Sequence, residues 1–333
     1  MTRAAITAGV LPTMTRLYPT VFAVLSLALP SQRHRPAPKP VPVTTPCGSP
    51  FAFQVLLDKQ GFSPGEIDGT LGVNVTRALA ALKDARKGAS TGQADCETWR
   101  ALGGDKAGTG SVAYTITADD VKGPFEKVIP ADLDKQASLP AMSYRNPLEK
   151  LGERFHVSPA LLRKMNPGAK FSAGEQVQVP AVTPFDPDAK PVADPAAGEM
   201  TIQVTKSDSS VRVTRADGSL VFYAPVTTGS EHDPLPTGDW KVTAVSWHPV
   251  FHYNPNLFWD AKPNQTRATI KAGPNNPVGV VWIDLNLEHY GIHGTPEPSR
   301  IGHTESHGCV RLTNWDAARL ASLVKAGTAV RFR

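Results

Sequence analysis

The chain has 333 residues, 41% of them hydrophobic and 20% charged, with a formal net charge of +5. That length suits two or three domains, and the composition is that of an ordinary globular protein. The charge is mild and spread along the chain, with no dense Lys/Arg block interleaved with aromatics, so nucleic acid binding is not indicated.

At the N-terminus Arg3 and Arg16 precede an apolar run over residues 21–29, too short to span a bilayer comfortably. With Ser26-Leu27-Ala28 as a small-x-small pattern, residues 1–30 read as a secretory signal, either cleaved or kept as an anchor. Export follows in both cases, and no integral membrane domain is expected. Residues 31–46, SQRHRPAPKPVPVTTP, have little to bury and read as an extended proline-rich linker. Export would place the three cysteines, Cys47, Cys96 and Cys309, in an oxidising compartment. Cys47 and Cys96 bracket one small segment, so they can pair and leave Cys309 free. A lone thiol in an exported protein is a candidate nucleophile; the plainer alternative is an unpaired buried cysteine.

Residues 47–104 read as a small helical domain. Phe51, Val55, Leu56 and Leu57 give one apolar face at helical spacing, and Gly61-Phe62-Ser63-Pro64-Gly65 ends that helix. A second helix is expected over 74–83 and a short third one around Trp99 and Leu102. The stretch Phe53-Gln54-Val55-Leu56-Leu57, Gly61-Phe62, Pro64-Gly65, Ile67-Asp68-Gly69, Gly72, Thr76, Ala78-Leu79 and Trp99 resembles the three-helix peptidoglycan-binding domain. The resemblance implies affinity for glycan; a helical module without it is the alternative.

Over 114–181 a strand at Tyr114-Thr115-Ile116-Thr117 is followed by helices at 148–155 and 158–165, then by a turn and strand in Gly174-Glu175-Gln176-Val177-Gln178-Val179-Pro180. The tail resembles that of a LysM module, and residues 118–143 interrupt the usual spacing, so this α+β segment is similar to a degenerate LysM-like spacer. Residues 182–198 read as a second linker.

Residues 199–333 read as a mostly-β, sandwich-like domain with one main helix. Strands are expected at 201–204, 210–214, 220–223, 226–229, 238–242, 278–284, 290–293 and 329–332, with Ala216-Asp217-Gly218-Ser219 as a hairpin turn. A helix is expected over 313–325, capped by Thr313 or Asn314. A loop-rich stretch over 246–277 carries Trp247, Tyr253, Phe258 and Trp259 and reads as a lid over a site or as a packed loop.

The chemistry concentrates in Gly291-Ile292-His293-Gly294-Thr295-Pro296 and Ser306-His307-Gly308-Cys309-Val310-Arg311-Leu312-Thr313-Asn314. A thiol attacks an amide carbonyl only as thiolate, so it needs a base and a set of N–H donors for the oxyanion. His293 lies 16 positions before Cys309, at the end of an apolar strand. The Gly294 carbonyl can hold one imidazole nitrogen and fix the tautomer. His307 and Cys309 are two apart, so an extended segment points both the same way. Gly308 lets a substrate approach the backbone. The other histidines, His232, His248, His252 and His289, lack metal-ligand spacing, so neither metal nor cofactor is expected.

These two strings, with Pro236-Thr237-Gly238 and Gly273-Pro274-Asn275-Asn276-Pro277, resemble the L,D-transpeptidase catalytic domain, or YkuD domain, whose signature is His…Ser/Thr-His-Gly-Cys-x-Arg/Asn. The resemblance implies an exported enzyme of the periplasm or cell wall that acts on peptidoglycan. Cys309 would form a thioester with a stem tetrapeptide, D-alanine would leave, and the acyl group would pass to an amine, on another stem peptide or a protein lysine. His293 is the implied base, with the backbone N–H groups of His307, Gly308 and Cys309 as oxyanion donors. Arg311 would hold a substrate carboxylate or serve a structural salt bridge, and Ser306 and Asn314 would shape the loop and touch substrate. Passing the acyl group to water would instead make a carboxypeptidase or endopeptidase, and an idle site would leave a wall-binding protein.

Overall fold

The computed structural model describes residues 47–88, 91–190 and 192–333. The signal segment and the first linker lie outside them.

The N-terminal part carries helices α1 (Pro50–Lys59), α2 (Val73–Ala85) and α3 (Cys96–Ala101). Ser49 starts α1: its Oγ accepts from the Ala52 N–H at 3.1 Å, and Pro50 follows where no helical N–H is needed. Phe53, Leu57, Leu79, Leu82 and Trp99 form the core, with Phe53 and Trp99 edge to face at 5.2 Å. Cys47 and Cys96 form a disulfide that closes a 49-residue separation, worth about 4 kcal/mol in the chain-entropy description.

In the middle part, β1 (Ser111–Thr115) pairs antiparallel with β2 (Gln176–Pro180). Between them lie α4 (Leu133–Gln136), α5 (Pro147–Arg154) and α6 (Pro159–Met165). Asn146 and Ser158 cap α5 and α6 by accepting from Glu149 and Leu161 N–H groups.

The C-terminal part is one curled sheet of eight strands. Its members are β3 (Thr201–Thr205), β4 (Ser210–Thr214), β5 (Leu220–Pro225), β6 (Gly238–Trp247), β9 (Val281–Leu285), β10 (Gly291–His293), β11 (Val310–Arg311) and β12 (Ala329–Phe332). Their order is β11-β10-β9-β6-β12-β3-β4-β5. The mostly-β domain expected as sandwich-like is thus one curled sheet. The ten-residue β6 joins two wings, pairing with β12 through its first residues and with β9 through its last. A register shift between Val242 and Ala244 marks the place where the wings meet. The single helix of this part, α7 (Asn314–Ser322), is capped by Thr313 and buries Trp315, Ala317, Ala318, Leu320 and Ala321 against the sheet.

Three sequence expectations are corrected here. Residues 226–229 form no sheet strand; Thr227 and Gly229 make isolated bridges to Arg311 and Ser306 instead. The loop-rich stretch holds a separate hairpin of β7 (Phe251–Tyr253) and β8 (Ala268–Ile270), which packs with Met142 of the middle part, while Trp247 belongs to β6. Within residues 182–198, expected as a linker, the two ends are anchored: Phe185 and Ala197 are buried, and the Asp194 N–H donates to the Ser322 carbonyl at 2.8 Å.

The three parts share walls. β5 is a sheet edge, and the N-terminal part covers it: Tyr223 N–H donates to the Gly61 carbonyl, and Ser63 N–H to the Tyr223 carbonyl, both at 2.9 Å. The Tyr223 ring, 1% exposed, sits among the N-terminal helices. Ile67 pairs with Val157, and the buried His156 links Asp58 at 2.9 Å to the Trp315 ring stacked on it at 4.9 Å. The catalytic candidates therefore stand on a sheet whose edge and helix are braced by the N-terminal and middle parts.

Candidate active site

β10 and β11 run parallel, with Ile292 opposite Val310 and His293 opposite Arg311. One step back, the same register brings Cys309 beside Gly291, whose backbone N–H favours the thiolate. Side-chain alternation then sends Ile292 and Val310 into the core and leaves His293, Arg311 and Cys309 on the opposite face. Gly291 is demanded by its neighbour: a Cβ there would lie 2.4 Å from the Trp282 ring. That ring lies nearly parallel to the His293 imidazole, 5.3 Å away. The Leu312 N–H donates to the His293 carbonyl at 2.8 Å and ties the two strands together.

The His293 Nδ1–H donates to the Gly294 carbonyl at 2.7 Å. A carbonyl only accepts, so the proton of the neutral ring sits on Nδ1 and Nε2 keeps its lone pair. Burial, and then the positive charge of Arg311, lower the His293 pKa to about 3, against the pull of the Gly294 bond. Burial raises the Cys309 thiol above its ordinary 9.0, opposed by the Gly291 N–H and Arg311. Cys309 is half-buried, and its Sγ donates to the His289 carbonyl at 3.7 Å. The resting pair is thus a neutral thiol and a neutral imidazole, because burial disfavours either charge.

A pH profile follows from these directions. Only Cys309 is a free thiol, so alkylation by iodoacetamide reports on it alone. Its rate should climb with an apparent pKa above 9.0. Turnover should show no loss assignable to His293 protonation between pH 8 and pH 5, since the ring takes a proton only near pH 3. An alkylation midpoint below 8, or a midpoint at pH 6–7 traced to His293, contradicts the neutral pair.

Ser306 is buried and braces the loop: its Oγ donates to the Cys309 carbonyl at 2.5 Å, and its N–H to Thr228 at 2.9 Å. Thr227 and Arg311 exchange both backbone bonds, at 3.0 and 2.9 Å. Residues 227–230 therefore clamp the cysteine loop, a role that their sequence does not reveal.

His307 departs from the expected alignment with Cys309. Gly308 has φ +97°, in the left-handed region, so the segment is bent and period-two alternation fails. His307 Nε2–H donates to the Asp260 carboxylate at 2.7 Å, and its ring lies 4.9 Å from Phe258 and 6.1 Å from Trp259. Trp259, 59% exposed, stacks on His232 at 4.2 Å. Asp260 escaped sequence reasoning, since a lone acid in an irregular loop carries no pattern.

Arg311 makes no ion pair with a carboxylate within 4.0 Å among the described residues, and its Nε is buried without a partner. The salt-bridge alternative therefore does not apply within them. Asn314 is corrected as a substrate contact. It is fully buried, its Oδ1 accepting from the Val280 N–H at 3.1 Å and its Nδ2 donating to Glu153 at 2.6 Å and to the Pro274 carbonyl at 3.0 Å. Glu153, from the middle part, was not foreseen; burial raises its pKa to about 7, against the Tyr144 and Asn314 donors. Among the described residues no group of three or more His, Cys, Asp or Glu is placed to hold a metal ion, and no helix is long and apolar enough to cross a membrane.

The fold and site define a curled β-sheet domain with a cysteine and a histidine carried on adjacent parallel strands. Residues 199–331 match the family model of YkuD, the L,D-transpeptidase catalytic domain. The chain is 29% identical over 186 residues to the YkuD protein of Bacillus licheniformis, named as a candidate L,D-transpeptidase, covering 55% of this chain and 91% of that one. That alignment is longer than the matched domain, so part of the similarity precedes it. The YbiS protein of Escherichia coli K12, also named as a candidate L,D-transpeptidase, is 45% identical over 65 residues, 20% of this chain and 21% of that one. A solved L,D-transpeptidase from Mycobacterium smegmatis is 17% identical with a TM-score of 0.34, covering 49% of this chain and 64% of that one, a likeness too small to carry an argument.

Proposed function

We propose that the protein is a peptidoglycan L,D-transpeptidase that works through a Cys309 thioester. The observation that carries this reading is the His293 ring, fixed through Nδ1 on Gly294 and carried on the strand beside the cysteine with a bare Nε2. The neutral pair makes proton transfer and attack one event: Nε2 takes the thiol proton as sulfur adds to the stem-peptide carbonyl. The backbone N–H groups of His307, Gly308 and Cys309 would receive the oxyanion. Collapse breaks the peptide bond, the imidazolium returns its proton to the departing amine, and D-alanine leaves. An acceptor amine then attacks the thioester, giving a proton to His293 and restoring the thiol. The partnerless Nε of Arg311 supports a role in holding a substrate carboxylate. Such a substrate goes with export to the periplasm or cell wall, and the helical and middle parts are read as glycan-binding modules.

Incubation of the full chain with disaccharide-tetrapeptide muropeptides, followed by mass spectrometry, tests the reading. Cross-linked dimers with free D-alanine are expected. Trimmed monomers alone would assign a hydrolase that passes the acyl group to water, and an unchanged substrate would remove the enzyme reading.

A further inference from the structure

Glu153 is a carboxylate buried in α5, outside the matched domain; among the described residues it makes no hydrogen bond to Cys309 or His293, and its donors are Tyr144 Oη and Asn314 Nδ2. Burying a carboxyl group is unfavourable unless its hydrogen bonds compensate, so mere space-filling would favour an apolar residue here. What it does is fix one amide. Asn314 has two chemically different ends, and only one orientation sets its oxygen toward the Val280 N–H and its NH₂ toward Glu153 and Pro274. That oxygen lies against two glycines. A Cβ on Gly279 would be 2.0 Å from it, and one on Gly294 2.2 Å. Gly294 is also the residue whose carbonyl holds His293 Nδ1 at 2.7 Å. A continuous line of contacts thus runs from the middle part to the imidazole: Glu153, Asn314, Gly294, His293.

We infer that Glu153 is a positioning residue for the active site: by accepting from Asn314 it locks the amide against which the Gly294 peptide is seated, and so keeps His293 in the tautomer with a free Nε2. The middle part is then a working component of the catalytic centre, and residues 199–333 alone carry an incomplete site. The activity arm of the test rests on the transpeptidase reading; the spectroscopic arm does not.

The test compares the full chain with Glu153→Met, similar in size and unable to accept strongly, and with Glu153→Gln, which can still accept from Asn314 and donate to the Tyr144 oxygen. Nitrogen-15 NMR of the imidazole reads the tautomer directly. A single Nδ1–H form is expected in the native chain and in Glu153→Gln, and a mixture in Glu153→Met. In the dimer assay kcat should fall about tenfold or more in Glu153→Met, with KM within about twofold, and recover in Glu153→Gln. A folded Glu153→Met variant with one undisturbed tautomer overturns the inference, as does an equal loss in Glu153→Gln. Should Glu153→Met fail to fold, Asn314→Leu breaks the same link from the other side, because a leucine leaves Glu153 no amide donor. It should give the same mixture, and a single tautomer there is equally fatal. If the native chain proves inactive on muropeptides, the NMR comparison still decides the positioning role, so the two readings fail separately.

Discussion

Cys309→Ser should abolish dimer formation, by roughly a thousandfold or more, while the melting temperature stays within a few degrees of the native value. The fold should be indifferent, because sulfur and oxygen differ little in size and Cys309 is only half-buried. The chemistry should not be indifferent. A hydroxyl is far less acidic than a thiol, and the base beside it is an imidazole whose pKa is lowered to about 3 by burial and by Arg311. Such a weak base can assist a thiol, whose proton is held far less tightly than an alcohol's even after burial, and fails with an alcohol. Two measurements check this on one sample. Muropeptide dimers should vanish, and the intact-protein mass should lose the acyl adduct that the native chain acquires with substrate. Retained turnover in the serine variant would remove Cys309 from the mechanism and leave the site geometry without a nucleophile.

Gly279→Ala is expected to be the most damaging single methyl group in the C-terminal part. Gly279 has φ +63°, where a side chain is strained. The added carbon would also lie 2.0 Å from Asn314 Oδ1 and 2.6 Å from the Gly294 carbonyl carbon. Neither neighbour is a loose chain end: Asn314 is fixed by its bonds to Val280, Glu153 and Pro274, and the other is backbone. The expected loss is on the order of 3 kcal/mol by urea denaturation. Activity should fall further than stability explains, since the displaced peptide is the one that orients His293. Gly218→Ala is the control. It shares a positive φ, +81°, and has open space around it, so only the backbone cost of about 1 kcal/mol should appear. Equal losses in the two variants would show that conformation alone, and not the packing around Asn314, sets the demand at Gly279.

Where local chemistry dominates, the structure follows patterns readable in the chain. Ser49-Pro50, Asn146-Pro147 and Ser158-Pro159 each place an acceptor and a pre-set φ at a helix start, and all three open helices. Asp217-Gly218 turns the β4–β5 connection because glycine supplies the positive φ that the turn needs. Apolar residues at 202 and 204, 211 and 213, and 330 and 332 alternate with exposed or half-buried ones, and each pair is buried in the sheet core. Thr313 caps α7, one of the two residues that the sequence offers for that place.

The site divides along the same line. A histidine at a strand end and a cysteine opening another strand are local features, so both stand out as candidates in the sequence alone. The directions taken by their neighbours are not local. His307 faces Asp260 because Gly308 bends the chain, and a glycine in sequence permits many bends without choosing one. Asn314 faces inward because Glu153, 161 positions away, meets it there. The low imidazole pKa and the high thiol pKa come from burial beneath strands distant in the chain, which residue type cannot encode. The sequence by itself determined which groups react and where helices and turns begin. Only the tertiary structure decided which protons those groups hold and what aims them, because hydrogen-bond geometry and desolvation depend on neighbours brought together by folding.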